Sequence, residues 1–241
     1  MNSFKIIVSG DFACWTRPEL KVERVSYDVP TPSALIGLLK SIYWKPAISY
    51  EIDKIIVFNP INFINFRRNE VKEKISFSKI KAQMNGKDDD ISIYADEARN
   101  QRATMALKNV KYGIEFRLKL TGLKSENEKN SHIKHAEILR RRLEKGQAFR
   151  TPCLGCSEFS AREIRLVSEF DYSQISPEIL NLGEVDLGFM LYTLKFKDGG
   201  KPINNDWENP RFSDSAEALY YRPRMKGGVI NVADYKGDLK C

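Results

Sequence analysis

The segment YGIEFRLKLTG, residues 112–122, alternates apolar and polar side chains along most of its length. Neighbouring side chains of a β-strand point to opposite faces of a sheet, so this alternation predicts a strand with one buried and one solvated face. The side chains predicted to face the core are Tyr112, Ile114, Phe116, Leu118 and Leu120, and those predicted to face solvent are Glu115, Arg117 and Lys119.

A helix is predicted upstream of this strand, in TPSALIGLLKSIYWKP, residues 31–46. Thr31 suits the N-cap, and Pro32 suits the first helical position because a backbone N–H is not needed there. Pro46 ends the pattern. The predicted buried stripe, at the spacing of one helix face, is Leu35, Leu38, Leu39 and Ile42.

A second helix is predicted downstream, in SHIKHAEILRRRLEKG, residues 131–146. Ser131 suits the N-cap and Gly146 suits the C-terminal stop. The predicted apolar stripe is Ile133, Ala136, Leu139 and Leu143.

Further strands are predicted at residues 4–10, 52–66 (broken at Pro60), 161–167 and 187–196, with a loop tip at 85–90. The order strand–helix–strand, followed by strand–helix–strand, predicts an α+β fold with a ferredoxin-like, RNA-recognition-like core. We expect this domain to span residues 1–170, and a smaller β-rich region to span residues 171–241.

The composition favours a protein that binds nucleic acid. Thirty-nine basic and thirty-two acidic residues give a formal charge of +7, which biases the chain toward acidic partners. No apolar run is long enough to cross a membrane, and the N-terminal residues lack the features of a signal peptide. Four cysteines are too few for a disulfide framework in a chain of 241 residues, so we expect a cytoplasmic protein.

The chain has only two histidines, His132 and His135, and both fall in the second predicted helix with three arginines at 140–142 behind them. A helix N-terminus attracts phosphate, and histidine exchanges protons near neutral pH. Lys134 would add a fixed positive charge beside them. This arrangement is typical of a site that acts on a phosphodiester.

Two other interpretations of these histidines remain open at the level of sequence. The first is a solvated helix that simply carries basic residues. The second is a zinc site in which His132 and His135 combine with Cys153 and Cys156, although this spacing differs from the common zinc fingers.

Several segments, in order along the chain, resemble the CRISPR-associated Cas-five (Cas5) family, subtype I-C (Dvulg). The most specific is SYDVPTPSALIGLLKSIYWKP, residues 26–46, and the others are weaker individually. They are MALKNVKYGIEF at 105–116, KHAEILRRRLEKG at 134–146, CLGCSEF at 153–159 and GFMLYTLKF at 188–196.

The resemblance implies an endoribonuclease that cuts the repeat hairpin of precursor CRISPR RNA without a metal or other cofactor. It implies that the protein then stays on the 5′ handle of the guide, in a Cascade complex with a Cas-seven-type backbone subunit and a large subunit. The catalytic set that it implies is Tyr43, Lys134 and His135. We expect RNA to be bound by Arg24, Lys45, Arg140 and Arg141, and DNA to be bound without being cut.

Two segments depart from the family pattern. KGQAFRTPCLG, residues 145–155, stands where relatives carry Gly-Gly-Arg-Arg-Asp before the Leu-Gly step. RPELKVERVSY, residues 17–27, has no glycine, whereas relatives tend to carry a glycine-rich loop there. These departures keep a second interpretation open, in which the chain is a non-catalytic RNA-binding subunit of the complex.

Overall fold

The predicted strand at residues 112–122 is the second half of a strand of 22 residues, β5 (Arg99–Leu120). Four of the five side chains predicted to face the core are buried, and Leu120, at the strand end, is partly exposed. On the opposite face, Arg117 forms an ion pair with Asp53. The alternation of the sequence therefore predicts the faces of this strand correctly except at Leu120, which is 42% exposed.

The computed structural model describes residues 3–20, 22–87, 91–122, 132–199, 201–206, 209 and 211–240. The other strands are β1 (Phe4–Ala13), β2 (Arg24–Val25), β3 (Ile48–Val57), β4 (Phe63–Val71), β6 (Glu163–Val167), β7 (Glu184–Asp186), β8 (Met190–Phe196), β9 (Ala216–Tyr221), β10 (Arg224–Lys226) and β11 (Val229–Ile230). The helices are α1 (Pro32–Ile42), α2 (Phe77–Met84), α3 (His132–Glu144) and α4 (Pro177–Asn181), with 3₁₀ turns at Tyr172–Gln174 and Val232–Tyr235.

Strand β5 organises the main sheet. Its second half pairs antiparallel with β1 on one side and with β3 on the other, so that Ile114 lies opposite both Ile6 and Ile55. Its first half pairs antiparallel with β4, and Asn109, with a φ of 52°, lies near the change of partner. In the described residues the main path of the sheet runs β6–β1–β5–β3–β11–β10–β7, and β8 and β9 form a separate pair. The fold is thus mixed α/β and dominated by its sheet.

Helix α1 begins as the sequence predicts but ends at Ile42, before the predicted stop at Pro46, because the chain is already extended at Tyr43. The Thr31 hydroxyl accepts a hydrogen bond from the Ala34 N–H at 3.2 Å, Pro32 is the first helical residue and the predicted apolar stripe is buried. Such a cap stabilises a helix by about 1 kcal/mol. The helix packs against β3 and β8.

Helix α3 differs from its prediction on one face. It ends before Gly146, whose φ of 62° confirms the predicted stop, whereas the predicted N-cap, Ser131, lies outside the described residues. Ile133 was predicted to be buried and is 68% exposed, so that assignment is wrong. His135 occupies the buried stripe instead, four positions before Leu139, where a nearby hydroxyl forms a hydrogen bond with its Nδ1 (see below).

The region from residue 52 to residue 84 also departs from the prediction, and residues 88–90 of the predicted loop tip lie outside the described residues. The single strand expected at 52–66 is two strands, β3 and β4, with Pro60 in the turn between them. The short helix α2 was not predicted. None of its residues is buried, so it lacks the apolar stripe from which a helix is recognised.

The C-terminal part of the chain is rich in short strands, and three of them join the main sheet. Val229 of β11 pairs with Ile56 of β3, and β10 and β7 follow outward. Lys236 reinforces this junction, since its Nζ lies 2.7 Å from Glu51 on β3. Within the described ranges, no helix has the length and apolar character needed to cross a bilayer.

Candidate active site

Tyr43 lies immediately after the last residue of α1, where the chain turns into an extended conformation (φ −151°, ψ 127°). Its backbone N–H donates to the Leu39 carbonyl at 3.0 Å, and its own carbonyl accepts a hydrogen bond from the Tyr50 hydroxyl at 2.6 Å. Both backbone groups of Tyr43 are therefore fixed, which determines where its side chain points.

The phenol of Tyr43 meets the imidazole of His135 from α3. Tyr43 Oη and His135 Nδ1 are 2.7 Å apart, although the two residues are 92 positions apart in the sequence. Only 4% of Tyr43 and 1% of His135 is exposed. The structure thus brings together two of the three residues that the family resemblance singles out.

The direction of this hydrogen bond depends on the tautomer of His135. In the tautomer that carries the ring proton on Nε2, the Tyr43 hydroxyl donates and His135 Nδ1 accepts. A phenol held in this way can take a proton from a substrate while it passes its own to the imidazole.

Arg142 holds the same tyrosine from the other end of α3. Its Nη1 donates to the Ile42 carbonyl at 2.5 Å, at the end of α1, and its guanidinium carbon lies 5.1 Å from the centre of the Tyr43 ring. This is within the range of a cation–π contact. In the sequence Arg142 appeared only as one of three arginines, and no pattern distinguished it from Arg140 and Arg141.

Lys134, the third residue of the implied catalytic set, is exposed, whereas its neighbour His135 faces the core. Successive helical residues point about 100° apart, so the ammonium and the imidazole leave α3 in different directions. The structure therefore brings Tyr43 and His135 into contact and presents Lys134 to solvent beside them.

A groove of about 840 Å³ opens where α1 ends, and Tyr43 is one of its lining residues, whereas His135 is not. The loop after α3 closes one side, because the backbone N–H groups of Phe149 and Arg150 both donate to the Ser41 carbonyl, at 2.9 and 3.1 Å. The remaining lining residues are Gly37, Lys40, Trp44, Lys45, Pro46 and Arg142.

The residues predicted to bind RNA are distributed over several surfaces. Lys45 lines the groove beside Tyr43. Arg140 lies over the ring of Phe4, at 5.5 Å, and borders a different depression, and Arg141 is exposed and lines neither. Only Lys45 of this predicted set is therefore next to the Tyr43–His135 pair.

Arg24, the fourth of these residues, is engaged in ion pairs. It lies 3.3 Å from Glu70 and 3.5 Å from Glu158, and Arg68 contacts both glutamates as well. Its charge is largely balanced by these carboxylates.

The zinc alternative lacks a ligand set. His132 Nε2 lies 2.9 Å from the Leu118 carbonyl of β5, and His135 is bonded to Tyr43. In the part of the chain that the structure describes, no three His, Cys, Asp or Glu side chains form a group that could hold a metal ion.

Sequence reasoning overlooked two aromatic residues of the groove, Trp44 and Phe149. Each stands beside a basic residue, in YWK and in AFR, and an aromatic next to a cation is a pattern found at nucleic-acid interfaces.

Comparison with known proteins connects this site to a family. The sequence profile described as CRISPR-associated protein (Cas_Cas5) matches residues 4–233. The chain is 41% identical over 238 residues to the CRISPR pre-crRNA endoribonuclease Cas5d of Mannheimia succiniciproducens, covering 97% of this chain and 96% of that protein. It is 37% identical over 237 residues to the protein of the same name from Thermus thermophilus, covering 96% and 92%.

Solved structures share the fold at lower sequence identity. A crystal structure of a CRISPR-associated protein aligns with all of this chain and 97% of its own, with a TM-score of 0.61 and 21% identity. A functionally uncharacterized protein from Streptococcus mutans, SMU1763c, aligns with the same coverage at a TM-score of 0.62.

Proposed function

The chain belongs to the Cas5 family of CRISPR-associated proteins, and from this premise we propose that it is an endoribonuclease that cuts precursor CRISPR RNA within its repeat hairpin. Two relatives that match nearly the whole chain are named pre-crRNA endoribonucleases. The observation that carries the proposal is the 2.7 Å contact between Tyr43 and His135, two proton-transfer groups, at a groove lined by cations.

We assign the catalytic and RNA-binding groups to a ferredoxin-like domain at residues 1–170, followed by a β-rich C-terminal region at 171–241. The strand order β6–β1–β5–β3, with α1 between β1 and β3 and α3 between β5 and β6, supports this assignment, because it is the order of a split βαβ core. All of the residues proposed to act on the RNA fall within the first region.

RNA supplies its own nucleophile, so the reaction needs proton transfer and charge stabilisation but no metal. The 2′-oxygen attacks the adjacent phosphorus, the bond from phosphorus to the 5′-oxygen breaks, and the products carry a 2′,3′-cyclic phosphate and a 5′-hydroxyl. Tyr43, which lines the groove, accepts the proton of the 2′-hydroxyl while its own proton passes to His135 Nδ1. The departing 5′-oxygen takes its proton from solvent in the groove.

Lys134 serves in this scheme as a source of positive charge. Its exposed ammonium stabilises the negative charge that grows on the phosphoryl oxygens. DNA lacks the 2′-hydroxyl, so it binds without being cut.

Cleavage of the cognate repeat RNA in excess EDTA tests the mechanism. We expect the protein to cut the RNA there, and Tyr43→Phe and His135→Ala each to slow cleavage by about 10²- to 10⁴-fold, the usual contribution of one acid–base group. His132→Ala is the matched control, because it removes the other histidine of the same helix, and it should keep a rate near that of the parent protein.

Cleavage that requires magnesium would reject this mechanism. So would cleavage that persists undiminished in His135→Ala, or a product that ends in a 3′-hydroxyl rather than a cyclic phosphate. Thermal unfolding of each variant, monitored by circular dichroism, distinguishes a loss of catalysis from a loss of folding.

A second function, that of a non-catalytic RNA-binding scaffold, is favoured by the burial of the same pair. His135 is 1% exposed and Tyr43 is 4% exposed, values that also suit a hydrogen bond that only joins two helices. Tight binding of the repeat, with no product after long incubation and with full stability of the parent protein, would support this alternative.

We also propose that the protein stays on the 5′ handle after cleavage, in the cytoplasm, within a Cascade complex that includes a Cas-seven-type backbone subunit and a large subunit. The formal charge of +7 supports retention on RNA, because phosphate contacts dominate such affinity. Co-purification of the processed RNA with the protein, at low and at high salt, tests this retention.

A further inference from the structure

We infer that the groove beside Tyr43 is a stacking site for an unpaired RNA base, and that Trp44 and Phe149 are its stacking surfaces. The inference deepens the proposed function, on which it rests for the identity of the nucleic acid. It assigns a role to two aromatic residues that take no part in the proton transfer.

Exposure of the two rings is the first observation. Trp44 is 51% exposed and Phe149 is 78% exposed, and both line the same cavity. Large apolar groups that remain exposed together often mark a binding site. Aromatic faces in particular take nucleobases, since every base offers a flat face to stack on.

The position of Phe149 is built into the structure. The backbone N–H groups of Phe149 and Arg150 both donate to the Ser41 carbonyl, at 2.9 and 3.1 Å, so the loop after α3 is fixed to the end of α1. Trp44 leaves the chain three residues after Ser41. The two rings therefore approach one groove from separate elements that are joined by hydrogen bonds.

The charge of the groove identifies the ligand. Lys40, Lys45, Arg142 and Arg150 line it, and its described lining residues include no acidic side chain. Four cations around two exposed rings match a phosphate backbone with a base between the rings. A cavity of about 840 Å³ falls within the usual size range of sites for small ligands, which suits a nucleotide.

The geometry selects an unpaired base over a duplex. Within a duplex each interior base is covered above and below by its neighbours, so neither of its faces can stack on a protein ring. Because Tyr43 lines the same groove, the base held there lies beside the phosphate that is cut.

Binding of short oligonucleotides to the full chain tests the inference. The probe is an eight-nucleotide single-stranded adenylate RNA, and the signal is the quenching of tryptophan fluorescence. We expect Trp44→Ala and Phe149→Ala each to raise the Kd by roughly 5- to 140-fold, the usual effect of losing one stacked base. Trp44→Phe, which keeps an aromatic face, should retain most of the affinity. Because the variants at Trp44 lose the fluorescence of this tryptophan, their binding is measured by the anisotropy of a labelled probe.

Phe77→Ala is the matched control, because Phe77 is 79% exposed, about the same as Phe149, and does not line the groove. It should leave the Kd unchanged. A blunt RNA duplex of eight base pairs offers only the outer faces of its two end pairs, so the alanine changes should weaken its binding much less than that of the octamer. The salt dependence of binding is an independent measurement. Trp44→Ala should leave the slope of log Kd against log salt concentration unchanged, whereas Arg150→Ala should reduce that slope by about one.

Unchanged affinity in both Trp44→Ala and Phe149→Ala would overturn the inference, as would an equal loss in Phe77→Ala. Loss of duplex binding in step with single-strand binding would also overturn it. These outcomes are distinct from failure of the proposed function, which is judged by cleavage in His135→Ala and not by binding of the octamer.

Discussion

The two residues proposed to exchange a proton, Tyr43 and His135, owe their contact to groups that take no part in the chemistry. Leu39 and Tyr50 fix the backbone of Tyr43, and Arg142 joins the end of α1 to α3 through the Ile42 carbonyl. Hydrogen bonds to charged groups contribute about 1.5–3 kcal/mol each. Arg142 is accordingly the residue whose loss should most disturb the pair without removing it.

We predict that Arg142→Ala lowers both the free energy of unfolding, by about 1.5–3 kcal/mol, and the rate of RNA cleavage. It removes the bond to Ile42 and the contact with the Tyr43 ring. Arg142→Lys should restore only part of the stability, because a single ammonium cannot make both contacts of the planar guanidinium. Urea denaturation and single-turnover cleavage measure the two effects.

Arg141→Ala is the control for this prediction, since Arg141 is exposed on the same turn of α3. A surface change of this kind usually alters stability by no more than about 0.5 kcal/mol. Equal losses of stability and of cleavage rate in Arg141→Ala and Arg142→Ala would mean that the net charge of the helix matters and that the specific contacts of Arg142 do not.

At the scale of elements, the loop that carries CLGC is held against the end of β1. The Cys14 N–H donates to the Leu154 carbonyl at 2.9 Å, and Gly155 follows with a φ of 91°. A Cβ at Gly155 would lie 1.9 Å from the Cys14 carbonyl oxygen, so no side chain fits without movement of the backbone.

We predict that Gly155→Ala destabilises the protein by more than about 2 kcal/mol, because it combines a positive φ with a clash against backbone atoms. Gly37→Ala is the control: Gly37 lies within α1, and a Cβ there would meet nothing within 4 Å. That change should stabilise the protein by about 0.5–1 kcal/mol, since alanine favours a helix. Differential scanning calorimetry of both variants checks the opposite signs, and a stable Gly155→Ala protein would contradict the steric argument.

Elements with local signals could be predicted from the sequence. Thr31 and Pro32 mark the start of α1, and Gly146 marks the end of α3, because each acts through its own backbone or its nearest neighbours. The face of α3 could not be predicted in the same way. A rule based on hydrophobicity buries Ile133 and exposes His135, whereas the tertiary hydrogen bond to Tyr43 reverses that choice.

The candidate site was predictable only in part. The position of Lys134 and His135 at a predicted helix N-terminus pointed to a phosphodiester site, whereas Tyr43 was singled out only through the family resemblance. The groove depends on a contact between Ser41 and the loop at residues 147–150, which lie more than a hundred positions away. No local pattern encodes such a contact, so the roles of Trp44 and Phe149 emerge only in the folded chain.

On the scale of the whole molecule, the C-terminal residues are joined to the main sheet by charge as well as by strand pairing. Glu51 of β3 contacts both Lys119 of β5 and Lys236, which follows the last 3₁₀ turn. Burial acts to raise the pKa of Glu51, but the hydrogen bonds from these two lysines outweigh it and hold the pKa below its usual value. The carboxylate is therefore bound in its charged form.

When folding lowers the pKa of a carboxyl group, that group stabilises the folded protein at pH values above the pKa that it has in the unfolded chain. This stability is lost as the pH falls through the pKa that the group has in the folded state. We predict that Glu51→Gln lowers the free energy of unfolding by about 1–2 kcal/mol at pH 7. The difference from the parent protein should shrink below about pH 4, where the free carboxyl group of the unfolded chain is protonated. Urea denaturation at pH 7 and pH 3 measures it.

Glu169→Gln is the control, because Glu169 forms a single exposed ion pair with Lys5 at the surface. Exposed pairs of this kind contribute little, so its stability should match that of the parent protein at both pH values. A Glu51→Gln difference that is the same at pH 7 and pH 3 would show that charge is not its cause.

The contact between Tyr43 and His135 joins two helices that pack mainly on different strands, α1 on β3 and α3 on β6. Any excursion of the native ensemble that separates these helices would break the proposed path of the proton. The measured turnover is then the intrinsic rate multiplied by the fraction of molecules in which the helices are docked. A ligand that bridges the ends of α1 and α3 would raise that fraction, so RNA bound along the groove would increase the competence of the enzyme that cuts it.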